Sequence, residues 1–111
     1  MTEAAFRLHL VDMPADDASV ATVTGEIDVT NAEEFIECVD GLSATRPVVL
    51  DLSRVRYLDS AGFAALDRLL AERTVLIVIA PDSGVYRAAV VMELPFHHDT
   101  DSALRIVQAE G

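Results

Sequence analysis

Residues 48–70, VVLDLSRVRYLDSAGFAALDRLL, change hydrophobic period once, and that change leaves few folds open to the chain. Val48, Val49 and Leu50 form an unbroken apolar run. A run so short and β-branched suits a strand buried on both faces rather than one face of a helix. Asp51 interrupts it, and residues 53–57 read as a polar crossing in which Val55 and Tyr57 are the larger apolar side chains. Phe63, Leu66 and Leu70 then recur at helical spacing while Asp67, Arg68 and Glu72 face elsewhere, which predicts a helix beginning near Ser60. Strand, loop and helix start follow one another. The start of a helix leaves N–H groups unpartnered and carries the positive end of the peptide dipoles, so it favours hydroxyl, carboxylate and phosphate oxygens.

The flanking segments extend this unit. Phe6 to Leu10 alternate apolar and polar residues, residues 13–17 carry turn chemistry, and residues 20–24 read as a second strand, so an antiparallel hairpin is expected. His9 falls on the polar side of the first strand. Thr30-Asn31-Ala32-Glu33 has capping-box spacing, and Ala32, Phe35, Ile36, Val39 and Leu42 form one apolar stripe behind it. Glu33, Glu34, Glu37 and Asp40 make the opposite, solvated face. Residues 74–80 read as a second buried strand, which with the preceding strand and a helix of about three turns makes a βαβ unit with parallel strands. A third helix is expected from near Ser83, carrying Val85, Ala88, Ala89 and Met92 and ended by Pro95. Phe96-His97 is a candidate edge strand, and residues 100–109 a terminal helix capped by Asp99 or Thr100. The expected fold is one α/β domain over residues 1–111: a mixed sheet of about four or five strands with about four helices against it.

Charge narrows the function. Eight basic against nineteen acidic residues give a net charge of −11, which repels phosphate backbones and anionic bilayers. Cys38 is the single cysteine, so no internal disulfide can form; acidic neighbours disfavour its thiolate. No secretory leader is visible, and the apolar run 75–80 is too short to span a bilayer, so a cytoplasmic protein is expected. The sequence has no Gly-rich phosphate cradle and no Cys/His set at zinc spacing. His97, His98, Asp99 and Asp101 are the one local group resembling metal ligands, but neighbouring side chains on an extended segment point to opposite faces. A Ser60/His97/Asp28 hydrolase triad needs distant segments to converge and lacks the nucleophile-elbow motif. Neither an enzyme nor a bound cofactor or metal is expected. Ser60 stands out differently. Asp59 or Ser60 can simply cap the helix, yet Asp59 before it and Gly62 after it, on a loop leaving a buried strand, would expose the hydroxyl. Phosphorylation there would add about −1.5 to −2 charges where the helix dipole tolerates them.

At these residues the chain resembles a family. Asp51-Leu52-Ser53-x-Val55-x-Tyr57-Leu58-Asp59-Ser60-Ala61-Gly62 is similar to the central signature of the STAS domain, found in bacterial anti-sigma factor antagonists and as a module in sulfate transporters. Val23-Thr24-Gly25-Glu26-Ile27-Asp28 resembles the family's second-strand motif, and the order of elements agrees over residues 6–109. The resemblance implies a phosphoprotein of partner switching in transcription regulation. Ser60 would be the phosphoacceptor for an anti-sigma factor that is a serine kinase of the histidine-kinase-like ATPase class. The unphosphorylated antagonist would bind that partner, phosphorylation would release it, and a phosphoserine phosphatase would reset it. Asp28, Asp59, Ala61 and Gly62 would lie at the partner contact. The alternative implied by the same resemblance is an unphosphorylated regulatory subunit of an ABC-type transporter or sensory assembly, in which Ser60 only caps its helix.

Overall fold

The computed structural model describes residues 5–42, 46–72 and 75–110. In chain order they form β1 (Phe6–Met13), a 3-10 turn (Pro14–Asp16), β2 (Ala18–Ile27), α1 (Ala32–Leu42), β3 (Val48–Leu58) and α2 (Ser60–Glu72), then β4 (Val75–Val78), α3 (Tyr86–Val91) and α4 (Thr100–Glu110). The strands lie in the order β1-β2-β3-β4. β1 and β2 are antiparallel, from Phe6 opposite Gly25 to Met13 opposite Ala18, and the turn between them closes with Asp17 left-handed at φ 52°. β2 with β3, and β3 with β4, are parallel, as the βαβ reading requires.

The expected polar crossing over residues 53–57 is instead the second half of β3, which runs unbroken to Leu58. The reason lies in its pairing. Thr22 to Thr24 of β2 face Asp51 to Arg54, and Gly25 to Glu26 face Val55 to Tyr57, so β3 carries one extra residue at each of two irregularities. Bulged insertions break the two-residue alternation of a strand. The buried residues Leu52, Val55 and Leu58 therefore fall three apart, a spacing that hides the strand in the sequence.

Two cores flank the sheet. α1 and α2 cover one face, where Phe35, Leu66 and Leu69 meet Val23, Ile27, Leu50 and Leu52, all at most 1% exposed. Phe6 contacts Phe35 edge-on at a centroid distance of 5.3 Å, which fastens the edge strand to α1. An aromatic contact of this kind contributes about 0.5–1.5 kcal/mol beyond its buried area. α4 packs on the opposite face, where Ala103, Leu104 and Val107 cover Ala18, Val49 and Val78. The apolar stripes of α1, α2 and α4 fall where their periodicity places them.

The third helix is shorter than its sequence suggested. α3 stops at Val91, and of its four expected core residues Val85 and Ala89 are buried while Ala88 and Met92 are exposed. Pro95 is not the cause. The N–H of Leu94 donates to Ala89 O at 3.0 Å, and that of Glu93 to Val90 O at 3.1 Å, around Glu93 at φ 56°. This is a Schellman ending, with buried Leu94 beside Ala89, and it is hard to read in sequence because glutamate stands where glycine is usual. Phe96-His97 adds one parallel bridge, His97 to Val78, rather than a strand. Asp99 caps α4: its Oδ1 accepts the Ser102 N–H at 2.7 Å.

Two outcomes follow for stability. Glu93→Gly relieves a left-handed backbone that costs a non-glycine residue about 1–2 kcal/mol, offset by about 0.5–1 kcal/mol of glycine entropy. A gain of up to about 1 kcal/mol is expected in urea unfolding. The hydrogen bond from the Ser102 backbone holds the Asp99 carboxyl below its ordinary value of 3.8. A depressed folded value means that the carboxylate's contribution is present above pH 3.8 and lost as pH falls through the folded value. The stability difference between the wild type and Asp99→Asn is therefore expected to shrink on acidification below about pH 4, as measured by unfolding midpoints.

Candidate functional site

The C-terminal ends of β2 and β3 finish side by side, Ile27 opposite Leu58, and the loops leaving them form the site. The loop after β2 is built by its own polar side chains. Asp28 Oδ1 accepts the Thr30 N–H at 2.8 Å and the Thr30 hydroxyl, while Asn31 Oδ1 accepts the Asp28 N–H at 2.9 Å. Asn31 is 6% exposed, and its Nδ2 donates back to Glu26 O at 3.0 Å. The expected capping box over residues 30–33 does not form. α1 begins at Ala32, so Thr30 lies outside the helix and bonds to Asp28 instead.

The loop after β3 is the single residue Asp59, and both of its carboxylate oxygens are used. Oδ1 accepts the Gly62 N–H at 2.9 Å, which caps α2; Oδ2 accepts the Val29 N–H at 3.2 Å, which ties the two loops together. Ser60 is the first residue of α2, exposed, and its hydroxyl bonds to none of the described residues. Asp59 is the cap, which leaves Ser60 free. Ala61 is half-buried beside it.

Gly62 is buried, and its lack of a side chain serves the protein's own packing. A Cβ there would sit 2.8 Å from Ile27 O and 2.9 Å from Leu58 Cδ2, so only glycine lets α2 start this close to the end of β2. Asp28 is half-buried and occupied within its own turn, yet Val29 beside it is held against Asp59. The structure thus brings Asp28, Asp59, Ser60, Ala61 and Gly62 to one end of the sheet.

Three contributors to this surface were not singled out from sequence: Val29, Ala64 and Arg68. Val29 is 76% exposed, an apolar side chain stranded between Asp28 and Thr30 in a turn too tight to reach the core. That position was the available signal. With Ile36, Ala61, Ala64 and Arg68 it lines a groove of about 320 Å³ between α1 and α2. Arg68 Nη1 lies 3.5 Å from Glu33 Oε1 across that groove.

Other readings of these residues lose their geometry. His97 pairs with Val78, which lies level with Asp51, seven residues before the end of β3. At about 3.3 Å per residue that is about 20 Å from the Ser60 end, so Ser60, His97 and Asp28 do not converge. His98 packs against Tyr86 and Phe96, and Asp99 caps α4. Among the described residues no three His, Cys, Asp or Glu side chains are grouped to hold a metal ion, and no helix is long and apolar enough to cross a membrane. Cys38 is exposed and forms no disulfide.

The four-stranded mixed sheet with helices on both faces is shared with solved anti-sigma factor antagonists. A solved antagonist from Mycobacterium paratuberculosis matches with a TM-score of 0.72 at 25% identity, over 94% of this chain and 95% of that one. The antagonist SpoIIAA in its unphosphorylated form matches with a TM-score of 0.59 at 16% identity, over 95% and 97%. The STAS domain family model matches residues 14–94, and the chain belongs to that family. Osmosensory protein A of Mycobacterium tuberculosis (strain ATCC 25618 / H37Rv) is 44% identical over 50 residues, which are 44% of this chain and 32% of that protein. The match therefore spans about a third of that relative's length.

The division of labour between Asp59 and Ser60 is testable by stability. Asp59→Ala loses the cap and the tie to Val29, and is expected to cost about 1–2 kcal/mol. Ser60→Ala removes no hydrogen bond and is expected to stay within about 0.5 kcal/mol of the wild type. Urea unfolding of the two variants in parallel measures both, and equal losses would contradict the assignment of the cap to Asp59.

Proposed function

We propose that this chain is an anti-sigma factor antagonist that binds its anti-sigma factor while Ser60 is unphosphorylated and is released when Ser60 is phosphorylated. The observation that carries the proposal is the free Ser60 hydroxyl, exposed on the first turn of α2 while Asp59 does the capping. A residue that capped the helix could not be modified without unmaking the helix start; Ser60 can. The similarity to solved antagonists supports the same reading.

The docking surface is the groove between α1 and α2, with Val29, Ala61 and Ala64 as its apolar contacts and Ser60 next to Ala61 on the first turn of α2. Small side chains there allow a partner backbone to approach closely. The partner is a serine kinase that brings ATP and magnesium, and this chain supplies only the nucleophile. Ser60 Oγ attacks the γ-phosphorus, the bond to the ADP oxygen breaks, and the hydroxyl proton passes to a base on the kinase. The product is a dianion beside the Asp28 loop and Asp59. An apolar or acidic partner surface beside it then meets uncompensated charge, while the helix dipole keeps the fold intact. A phosphoserine phosphatase returns the chain to its binding form. The module works without a cofactor of its own, in the cytoplasm, and folds as one domain.

Incubation with ATP and a candidate kinase is expected to raise the mass by one phosphate on Ser60, and Ser60→Ala to abolish the gain while retaining binding. Phosphorylated protein is expected to bind at least about tenfold more weakly, measured by titration calorimetry. Failure to form a complex with any ATPase-type anti-sigma factor, together with co-purification with a membrane transporter ATPase, would favour the regulatory-subunit alternative.

A further inference from the structure

α4 covers only one end of its face of the sheet, over Met13, Val20, Val49 and Leu76. Farther along the same face the chain places two polar rows. Arg7 of β1, Thr24 of β2 and Arg54 of β3 are paired neighbours across three strands, and His9, Thr22 and Asp51 form the adjacent row. These six residues line an open groove of about 550 Å³, on the face opposite the one that α1 and α2 cover.

The charges in this groove are unusual for the molecule. The chain has no lysine, and its eight cations are all arginine against nineteen acidic residues. Arg56 and Arg68 pair with carboxylates, yet Arg7 and Arg54 have no ion-pair partner among the described residues. They stand on either side of one strand, which sets their Cα atoms about 10 Å apart. Asp51 Oδ1, in the next row, is taken by the Ser53 N–H at 3.0 Å. Two guanidinium groups lining one groove repel each other; the Asp51 carboxylate in the next row offsets part of that cost, and an anion between the two arginines removes the rest.

We infer that this groove is a binding site for a small phosphate-bearing anion, held between the Arg7 and Arg54 guanidinium groups with Thr24 beneath it. A phosphoryl group offers three oxygens, enough to accept from two arginine forks and a threonine hydroxyl together, whereas the two oxygens of a carboxylate satisfy one fork. The volume falls within the range of about 300–1,000 Å³ usual for small-molecule sites. Net charge selects against larger occupants. A nucleic acid or an acidic protein segment would feel the −11 of the whole molecule, while a small anion samples mainly the field within about 10 Å. The site is independent of Ser60.

The test is a titration of the 15N-labelled chain with inorganic pyrophosphate at constant ionic strength. Saturable shifts are expected at the amides of Thr22 and Thr24 and at the Nε–H signals of Arg7 and Arg54. Arg7→Gln and Arg54→Gln are each expected to weaken binding about tenfold, with unchanged melting temperatures showing an intact fold, and Ser60→Ala to leave it unaltered. Shifts that do not saturate, that persist in the double arginine variant, or that centre on Ser60 would overturn the inference. So would tighter binding of a hexaglutamate peptide than of pyrophosphate.

Discussion

Parallel pairing of β2 with β3 decides where everything else in this molecule can go. Parallel neighbours end on the same side, so the loops after Ile27 and Leu58 emerge together. Asp59 then joins them with one carboxylate, one oxygen to the start of α2 and the other to the turn before α1. Gly62 allows the approach by having no side chain to interpose. These contacts fix the positions of two helices relative to the sheet and to each other, and the groove between the helices is their by-product. Ser60 contributes nothing to this arrangement, which is why it is available for something else.

Much of this was legible in the chain because it rests on local chemistry. The apolar stripes of α1, α2 and α4, the βαβ unit and the helix start at Ser60 all depend on spacing and capping residues that act over a few positions. The features that escaped depend on long-range pairing. β3 was cut at Asp51 because its two extra residues are defined only against β2. The end of α3 was placed at Pro95 because a left-handed glutamate leaves no mark in the sequence. At the site, Asp59 was legible as a cap, while its second bond to Val29 joins residues 30 apart and could not be read from spacing. The packing of Gly62 against Ile27 O likewise joins residues far apart in the chain and leaves no mark in spacing.

The two faces of the sheet divide chemically. One is sealed by α1 and α2 over large aliphatic side chains and Phe35. The other is half covered by α4 and half polar, with arginine, histidine and threonine where the first has valine and leucine. Alternation along each strand generates both from the same residues: Ala21 and Val23 point one way, Thr22 and Thr24 the other. The sheet thus carries two dissimilar surfaces, one closed beneath helices and one partly open to solvent.

β4 is four residues long and pairs with β3 only as far as Asp51, so the remainder of β3 is flanked by a strand on one side alone among the described residues. Segments with fewer ladder bonds open at lower free energy than the centre of a sheet. The last residues of β3 and those it delivers to α2 can therefore open more readily than the four-stranded part. This asymmetry in strand length gives the serine end of the sheet a freedom that the four-stranded part lacks.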